Sequence, residues 1–208
     1  MSIDLLDYRR QVFSHYAQIR SSELPSAEQA ELFRSQRDEL FANHPQSALS
    51  EKQKKSFSSL NYFDYNPDWN KTAHLDFNIE HSDIEMELID DGTFRMQRLA
   101  YAHFVHDSTQ HRLTVFWLLG YGGGLFLPFR DESRKSGEIY PGSRYLIDTI
   151  KGADLGNSKA QLNLDFNYAY NPSCAYNELW DCPLAPQENW LDIAVMAGEK
   201  DYPHQILG

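Results

Sequence analysis

Two periodicities predict a mainly β fold of the α+β kind, an antiparallel β-barrel-like or strongly curled sheet with an N-terminal arm of two to three helices. From about residue 71 onward, apolar and polar residues alternate with period two, and turn signals punctuate the runs. Before residue 66, apolar residues recur at the helical period behind helix-start signals. A third observation favours curling: consecutive hairpins build a meander, and a meander hides its edges best by bending toward closure. The expected organisation is a single domain over 1–208, with a helical arm at 1–66 and a β domain at 71–200.

The first helix is expected over 3–20, where Leu5, Leu6, Val12, Phe13, Tyr16 and Ile19 keep close to a 3.6-residue spacing. Ser26-Ala27-Glu28-Gln29 after Pro25 reads as a capping box opening a second helix to about Phe41, with Ala30, Phe33, Leu40 and Phe41 buried. Ser50-Glu51-Lys52-Gln53 repeats the signature and opens a short third helix, and Asn66-Pro67 ends the arm. Asp83-Ile84-Glu85-Met86-Glu87-Leu88 alternates charge with hydrophobe as a half-buried strand does. Asp91-Gly92 supplies a tight turn into a strand whose apolar phase switches between Met96 and Leu99, which predicts a bulge near Gln97-Arg98. A hairpin loop at 106–111 leads to a strand through Leu113, Val115, Trp117 and Leu119. Tyr121-Gly122-Gly123-Gly124 then turns the chain into a further strand over 125–129. The triple glycine lacks the Lys-Ser/Thr pair and the following helix of a phosphate loop, so it is read as a turn. A last strand over 191–197 is expected to close the sheet.

Composition narrows the function. With 41% hydrophobic and 24% charged residues the chain belongs with globular proteins, and 12 Phe, 12 Tyr and 4 Trp suit strands and pocket walls. A formal charge of −11 argues against nucleic acid as a partner. No apolar run approaches the roughly 20 residues that span a bilayer, so no membrane association is expected. Met1-Ser2-Ile3-Asp4 lacks the basic flank of a secretory signal, which makes a cytoplasmic location the expectation. The two cysteines, Cys174 and Cys182, lack C-x-x-C spacing and are expected as free thiols.

Three constellations carry chemistry. His103, His106 and His111 cluster around one hairpin, but His103 and His106 fall on opposite strand faces, so a metal site is not expected there. Cys174 sits in a Pro-stiffened run with no nearby His to activate it, and a packing role competes with a nucleophilic one. The third constellation is a polar pocket built from Arg144, Asp165, Asn167, Asn171 and Glu188. Asp165 and Asn167, two apart on an expected strand, share a face. Arg144 would orient a carboxylate or grip an anionic ligand, and Glu188 or Glu199 would serve as acid or base. In the competing reading, the Asx residues hydrogen-bond their own turn backbone.

Two blocks also resemble a known family. FLPFRD at 126–131 leads to GEIYPGSRYL at 137–146. LDFNYAYNPSCAY at 164–176 is followed by CPLAPQEN at 182–189 and AGEK at 197–200. These are similar to the F-x-D, T-Y-x-x-G-R-Y-L, D-F-N-x-A-Y-N-P-x-C-A-Y, C-P-x-x-P-x-E-N and A-G-E-K elements of domain of unknown function family 1684, uncharacterised bacterial and archaeal proteins. A weaker echo extends to 57–63. Ile139 replaces the family's Thr and Ser143 its Gly, so no role of that Thr hydroxyl carries over. The resemblance implies a mostly β fold with the 165–199 region beside Arg144-Tyr145. It implies no activity.

The expected function is a small-molecule-binding, barrel-like domain, with hydrolysis by a carboxylate base as its catalytic extension. Its candidate ligand-binding set is Arg144, Tyr145, Asp165, Asn167, Asn171, Cys174 and Glu188. The alternative is a protein-interaction module without catalysis. A homodimer is open, and neither a cofactor nor a substrate is specified.

Overall fold

The computed structural model describes residues 2–89, 92–158 and 160–202. Its arm comprises α1 (Asp4–Ser21), α2 (Ser26–Asn43) and α3 (Glu51–Ser56). Tyr16 and Ile19 of α1 are buried, as are Ala30, Phe33, Leu40 and Phe41 of α2, the four positions its periodicity singles out. The Ser50 capping box is complete: the Gln53 N–H donates to the Ser50 hydroxyl, and the Gln53 carboxamide accepts from the Ser50 N–H. The box expected at Ser26 does not form. Pro25 takes the non-helical cap position, so Ser26 lies one residue inside the helix and makes no cap bond. The Gln29 amide instead donates to the Leu24 carbonyl at 2.5 Å.

The sheet contains β1 (Asn70–Asp76), β2 (Asp83–Leu88), β3 (Gly92–His106), β4 (Thr109–Leu118), β5 (Leu125–Phe129), β6 (Arg144–Asp148), β7 (Asn157–Ser158) and β8 (Gln161–Asp165). These eight strands run in the order β6-β5-β4-β3-β1-β8-β7, with β2 on the N-terminal half of β3. Every strand pairing is antiparallel, and the sheet curls into a half-barrel. Asp107 and Ser108, both at positive φ (48° and 61°), form the two-residue turn between β3 and β4. β2 and β3 pair from Leu88 opposite Gly92, and the turn predicted at Asp91-Gly92 involves residues 90 and 91, which lie outside the described residues. Gly123 is required in the next turn: its φ is +60°, and a Cβ there would stand 2.3 Å from the Trp117 ring.

The predicted bulge falls between Arg98 and Ala100 and separates two cores. Before it, Met96 pairs with Leu118 on the face that meets the helices. After it, Ala100 pairs with Val115 and Ala102 with Leu113, so the same parity of β3 points to the other side. The helix-side core joins Tyr16, Ile19, Ala30 and Phe33 to Met96, Phe116, Leu118, Phe126 and Tyr145. The second core joins Phe104, Leu113, Val115, Leu127, Phe129, Leu146 and Leu164 to Phe166, Leu191, Val195 and Ala197.

The closing strand expected over 191–197 is not a strand. Its period of two is real, because Leu191, Val195 and Ala197 are buried in the second core with Ile193 packed beside them. Its backbone makes only a short parallel bridge to the chain just after β5, where the Leu191 N–H donates to the Arg130 carbonyl at 2.7 Å and the Glu132 N–H to the Ile193 carbonyl at 3.0 Å, and side chains bond the rest. The half-barrel is therefore crossed by an extended strap and left unclosed. Gly198 lets the strap pass: its φ is +78°, and a Cβ would lie 2.6 Å from the Phe166 carbonyl oxygen and 2.8 Å from that of Ala169. Gly198→Ala is expected to cost about 2 kcal/mol or more, measured as a lower urea midpoint at unchanged m-value.

Candidate functional site

β8 ends at Asp165, and residues 166–168 form a tight turn capped by its carboxylate. The Asn167 backbone N–H donates to Asp165 Oδ1 at 2.9 Å, and the Asn167 amide donates to the same oxygen at 2.7 Å. Asn167 also clamps Asn66, accepting its N–H and donating to its carbonyl, both at 2.8 Å. The two side chains meet, but not on the strand face expected: β8 ends at Asp165, Asn167 lies in the turn that follows, and the Asx bonds of the competing reading join them. Asp165 Oδ2 receives only the Tyr65 hydroxyl, at 3.4 Å. Asp165 lines a polar cleft of about 310 Å³ with Ile19, Arg20, Gln29, Asn70, Leu155 and Asn163. Burial lifts its carboxyl above the usual carboxylate range, against the opposing pull of the Asn167 and Tyr65 hydrogen bonds and the Arg34 charge. Arg34 lies over the Tyr62 ring at 4.7 Å, and its Nε and Nη2 are buried without a hydrogen-bond partner.

Arg144 belongs to a different group. It is 1% exposed and bonds Asp131 at 2.8 Å. Its Nη1 and Nη2 also donate to the strap carbonyls of Val195 at 2.9 Å, Ala197, and Glu199 at 3.4 Å, and its Nε is buried without a hydrogen-bond partner. Asp131 accepts the Val195 N–H at 3.0 Å. Together the pair offers the strap the donor and acceptors that a neighbouring strand would offer. Asn189 does the same where β4 and β5 splay apart below Phe116. Its amide accepts the Thr114 N–H at 2.7 Å and donates to the carbonyls of Thr114 and Pro128 at 2.9 and 2.8 Å.

The other predicted residues lie in further groups. Glu188 takes a bidentate bond from Arg98, at 2.6 to 3.1 Å, and the Thr114 hydroxyl at 2.8 Å. Asn171 donates its N–H to Glu199 at 3.1 Å and its amide to the Lys200 carbonyl at 2.8 Å. Glu199 is 1% exposed and also holds Arg37 of α2 at 3.0 Å and the Tyr176 hydroxyl. Burial raises its carboxyl despite these partners. Tyr145 donates its hydroxyl to the Pro183 carbonyl. Of the predicted set, only Asp165 and Asn167 are bonded to each other. The arm residues Arg34, Arg37 and Tyr65 carry no local signal; their importance comes from contacts about 100 residues or more away in sequence.

The two cysteines are free thiols on one partly buried corner. The Cys174 N–H donates to Cys182 Sγ at 3.4 Å, and the Tyr140 hydroxyl lies 3.5 Å from Cys174 Sγ. The thiol hydrogen bond from Cys174, two backbone N–H groups and the Lys151 charge bring Cys182 down to about 7. The Cys182 sulfur and burial push Cys174 up. The sequence drew attention to Cys174, whereas Cys182 is the sulfur that the Cys174 N–H bonds. Among the histidines, His106 stacks on Trp69 with centroids 3.9 Å apart. Among the described residues, no three His, Cys, Asp or Glu side chains are grouped to hold a metal. A larger open groove of about 600 Å³ crosses β8, β1 and β3, lined by Lys71, His74, His103, Gln110 and Gln161 among others.

Fold and site together define a class of domain: an unclosed antiparallel half-barrel, backed by a helical arm and crossed by a side-chain-pinned strap. The chain belongs to the family described as Protein of unknown function (DUF1684), whose model matches residues 55–200. It is also similar to an uncharacterized protein of Haloarcula marismortui whose structure was determined in solution by NMR. Identity is 34% and the TM-score 0.59, over 83% of this chain and 92% of that one. No curated protein matches the chain. No helix among the described residues is long and apolar enough to cross a membrane.

Proposed function

We propose that this protein is a small-molecule-binding domain whose ligand occupies the cleft between the helical arm and β8, with Asp165 as the recognition group. One observation carries the reading: Asp165 lines a polar cleft with Oδ1 fully engaged by Asn167 and Oδ2 holding one long bond. A buried carboxylate with spare acceptor capacity favours a donor from outside the fold. Carboxamides from Gln29, Asn70 and Asn163 surround it, which suits a hydroxyl- or amine-bearing solute. Asn167 fixes the carboxyl, and the Arg34 charge lies close enough to act on it. If the ligand is turned over, Asp165 is the acid or base, because its raised proton affinity fits that work. Arg144, Tyr145, Asn171 and Glu188 then support the site by holding the strap and the loops behind it.

Asp165→Asn tests this. The amide keeps the cap acceptor, so the fold is expected to persist. Because the folded carboxyl titrates above its unfolded value, its contribution to stability is full below the unfolded carboxyl range and lost as pH rises through the folded pKa. The variant lacks that loss. Its melting temperature relative to wild type is expected to rise from about pH 4 upward. In a thermal-shift screen against polyols, sugars and amines, a compound that raises the Tm of the wild type is expected not to raise that of Asp165→Asn. A shift retained by the variant, or no shift from any compound, overturns the reading. The interaction-module alternative rests on one observation, the exposure of Leu179, Trp180 and Leu184 on a single loop.

A further inference from the structure

We propose that Cys174 and Cys182 form a redox-active dithiol that peroxide oxidises to an intramolecular disulfide. The proposal is independent of the Asp165 cleft. It stands first on placement. The Cys174 N–H donates to the Cys182 sulfur at 3.4 Å, which sets the two cysteines side by side on one corner. Pro172 before the turn Ser173–Ala175 and Pro183 after Cys182 stiffen both backbones. Tyr145 anchors the second by its bond to the Pro183 carbonyl, and Tyr140 contacts the Cys174 sulfur. Neither cysteine is fully buried, which distinguishes them from thiols that serve only to pack.

Placement also assigns the roles. The Cys174 N–H donates to Cys182 Sγ, and the Lys151 charge also favours a negative charge on that sulfur. Cys182 is therefore assigned as the attacking sulfur and Cys174 as the resolving one. The thiolate attacks one oxygen of hydrogen peroxide. The O–O bond breaks, the departing hydroxide takes up the proton that Cys182 had released, and Cys182 becomes a sulfenic acid. The Cys174 sulfur then attacks the sulfenic sulfur. An S–S bond forms, the S–O bond breaks, and the hydroxyl leaves with the Cys174 proton as water. Two thiols lose two electrons in total, and one peroxide becomes two waters. An external dithiol reverses the reaction by exchange.

The test is peroxide titration of the intact protein, with thiol counting after denaturation and peptide mapping without reductant. Both thiols are expected to disappear together into one cross-linked peptide pair, and added dithiothreitol should restore them. Cys174→Ser is expected to stop at a dimedone-reactive sulfenic acid on Cys182. Cys182→Ser is expected to slow oxidation of the remaining thiol by more than about tenfold, since an ordinary thiol is only a few per cent ionised at neutral pH. Lys151→Met should move the rate midpoint to higher pH. Thiols that survive peroxide, or that oxidise separately without a cross-link, overturn the proposal. So does zinc protecting both thiols stoichiometrically, which would make the pair a metal site.

Discussion

Replacing Arg144 with methionine is expected to cost about 3–5 kcal/mol, lowering the melting temperature by on the order of 10 °C. The reason lies in what remains. Asp131 keeps its charge at 2% exposure with no cation beside it. The carbonyls of Val195 and Ala197 lose their donor in a site closed to water. An unpaired buried charge and orphaned acceptors are each expensive, and here they coincide. Adding Asp131→Leu to the methionine variant removes the stranded charge and is expected to recover part of the loss, as read in a double-mutant cycle. Recovery stays partial because the Val195 N–H was bonded to Asp131 as well. A single variant within about 1 kcal/mol of wild type would show that the strap holds without the ion pair.

Glu199→Ala carries the second large effect, of similar size, because one carboxylate serves three donors. Arg37, the Asn171 N–H and the Tyr176 hydroxyl all converge on it. Losing it strands the Arg37 guanidinium between α2 and the strap, where only the Tyr62 hydroxyl bond and neighbouring rings remain. The expected cost is about 3–5 kcal/mol. Glu199→Gln should cost distinctly less. It keeps acceptor and donor capacity, and it avoids the desolvation that raises the Glu199 carboxyl. Urea unfolding of the three proteins side by side separates the two effects. Equal loss for Ala and Gln would make the charge the decisive property.

Local rules wrote much of the architecture. The burial of Ala30, Phe33, Leu40 and Phe41 follows from spacing alone, and so does the phase switch that the Leu99 bulge absorbs. The two Ser-x-x-Gln sites show where such rules stop. The same four-residue signature forms a full box at Ser50 and none at Ser26, because Pro25 claims the cap. The segment over 191–197 shows the same limit at longer range. Its alternation states which residues face inward, but not that Asp131 and Arg144 side chains, beside a short parallel bridge at Arg130, would hold it in place of a full strand pairing. In the candidate site, Asp165 and Asn167 were legible as a pair because they stand two positions apart, although a turn and not a shared strand face joins them. Tyr65 and Arg34 were not, since folding alone brings them to Asp165. Cys182 gave a faint sign by preceding a proline, but its acidity depends on Lys151 and on the turn at Cys174.

The strap also sets an order of events at the ribosome. Arg144 must wait for carbonyls that are synthesised 51 to 55 residues later. At translation rates of about 5–20 residues per second, that interval is roughly 3–10 s. Once β8 is made, the sheet holds a charged pair without its lid, and Leu127, Phe129 and Leu146 lack the strap residues that cover them. Hairpins form within microseconds, so the meander has ample time to assemble and expose that face before the strap arrives. A chain that ends before Val195 therefore keeps the Leu127, Phe129 and Leu146 face without its Val195 and Ala197 cover, an apolar surface open to association.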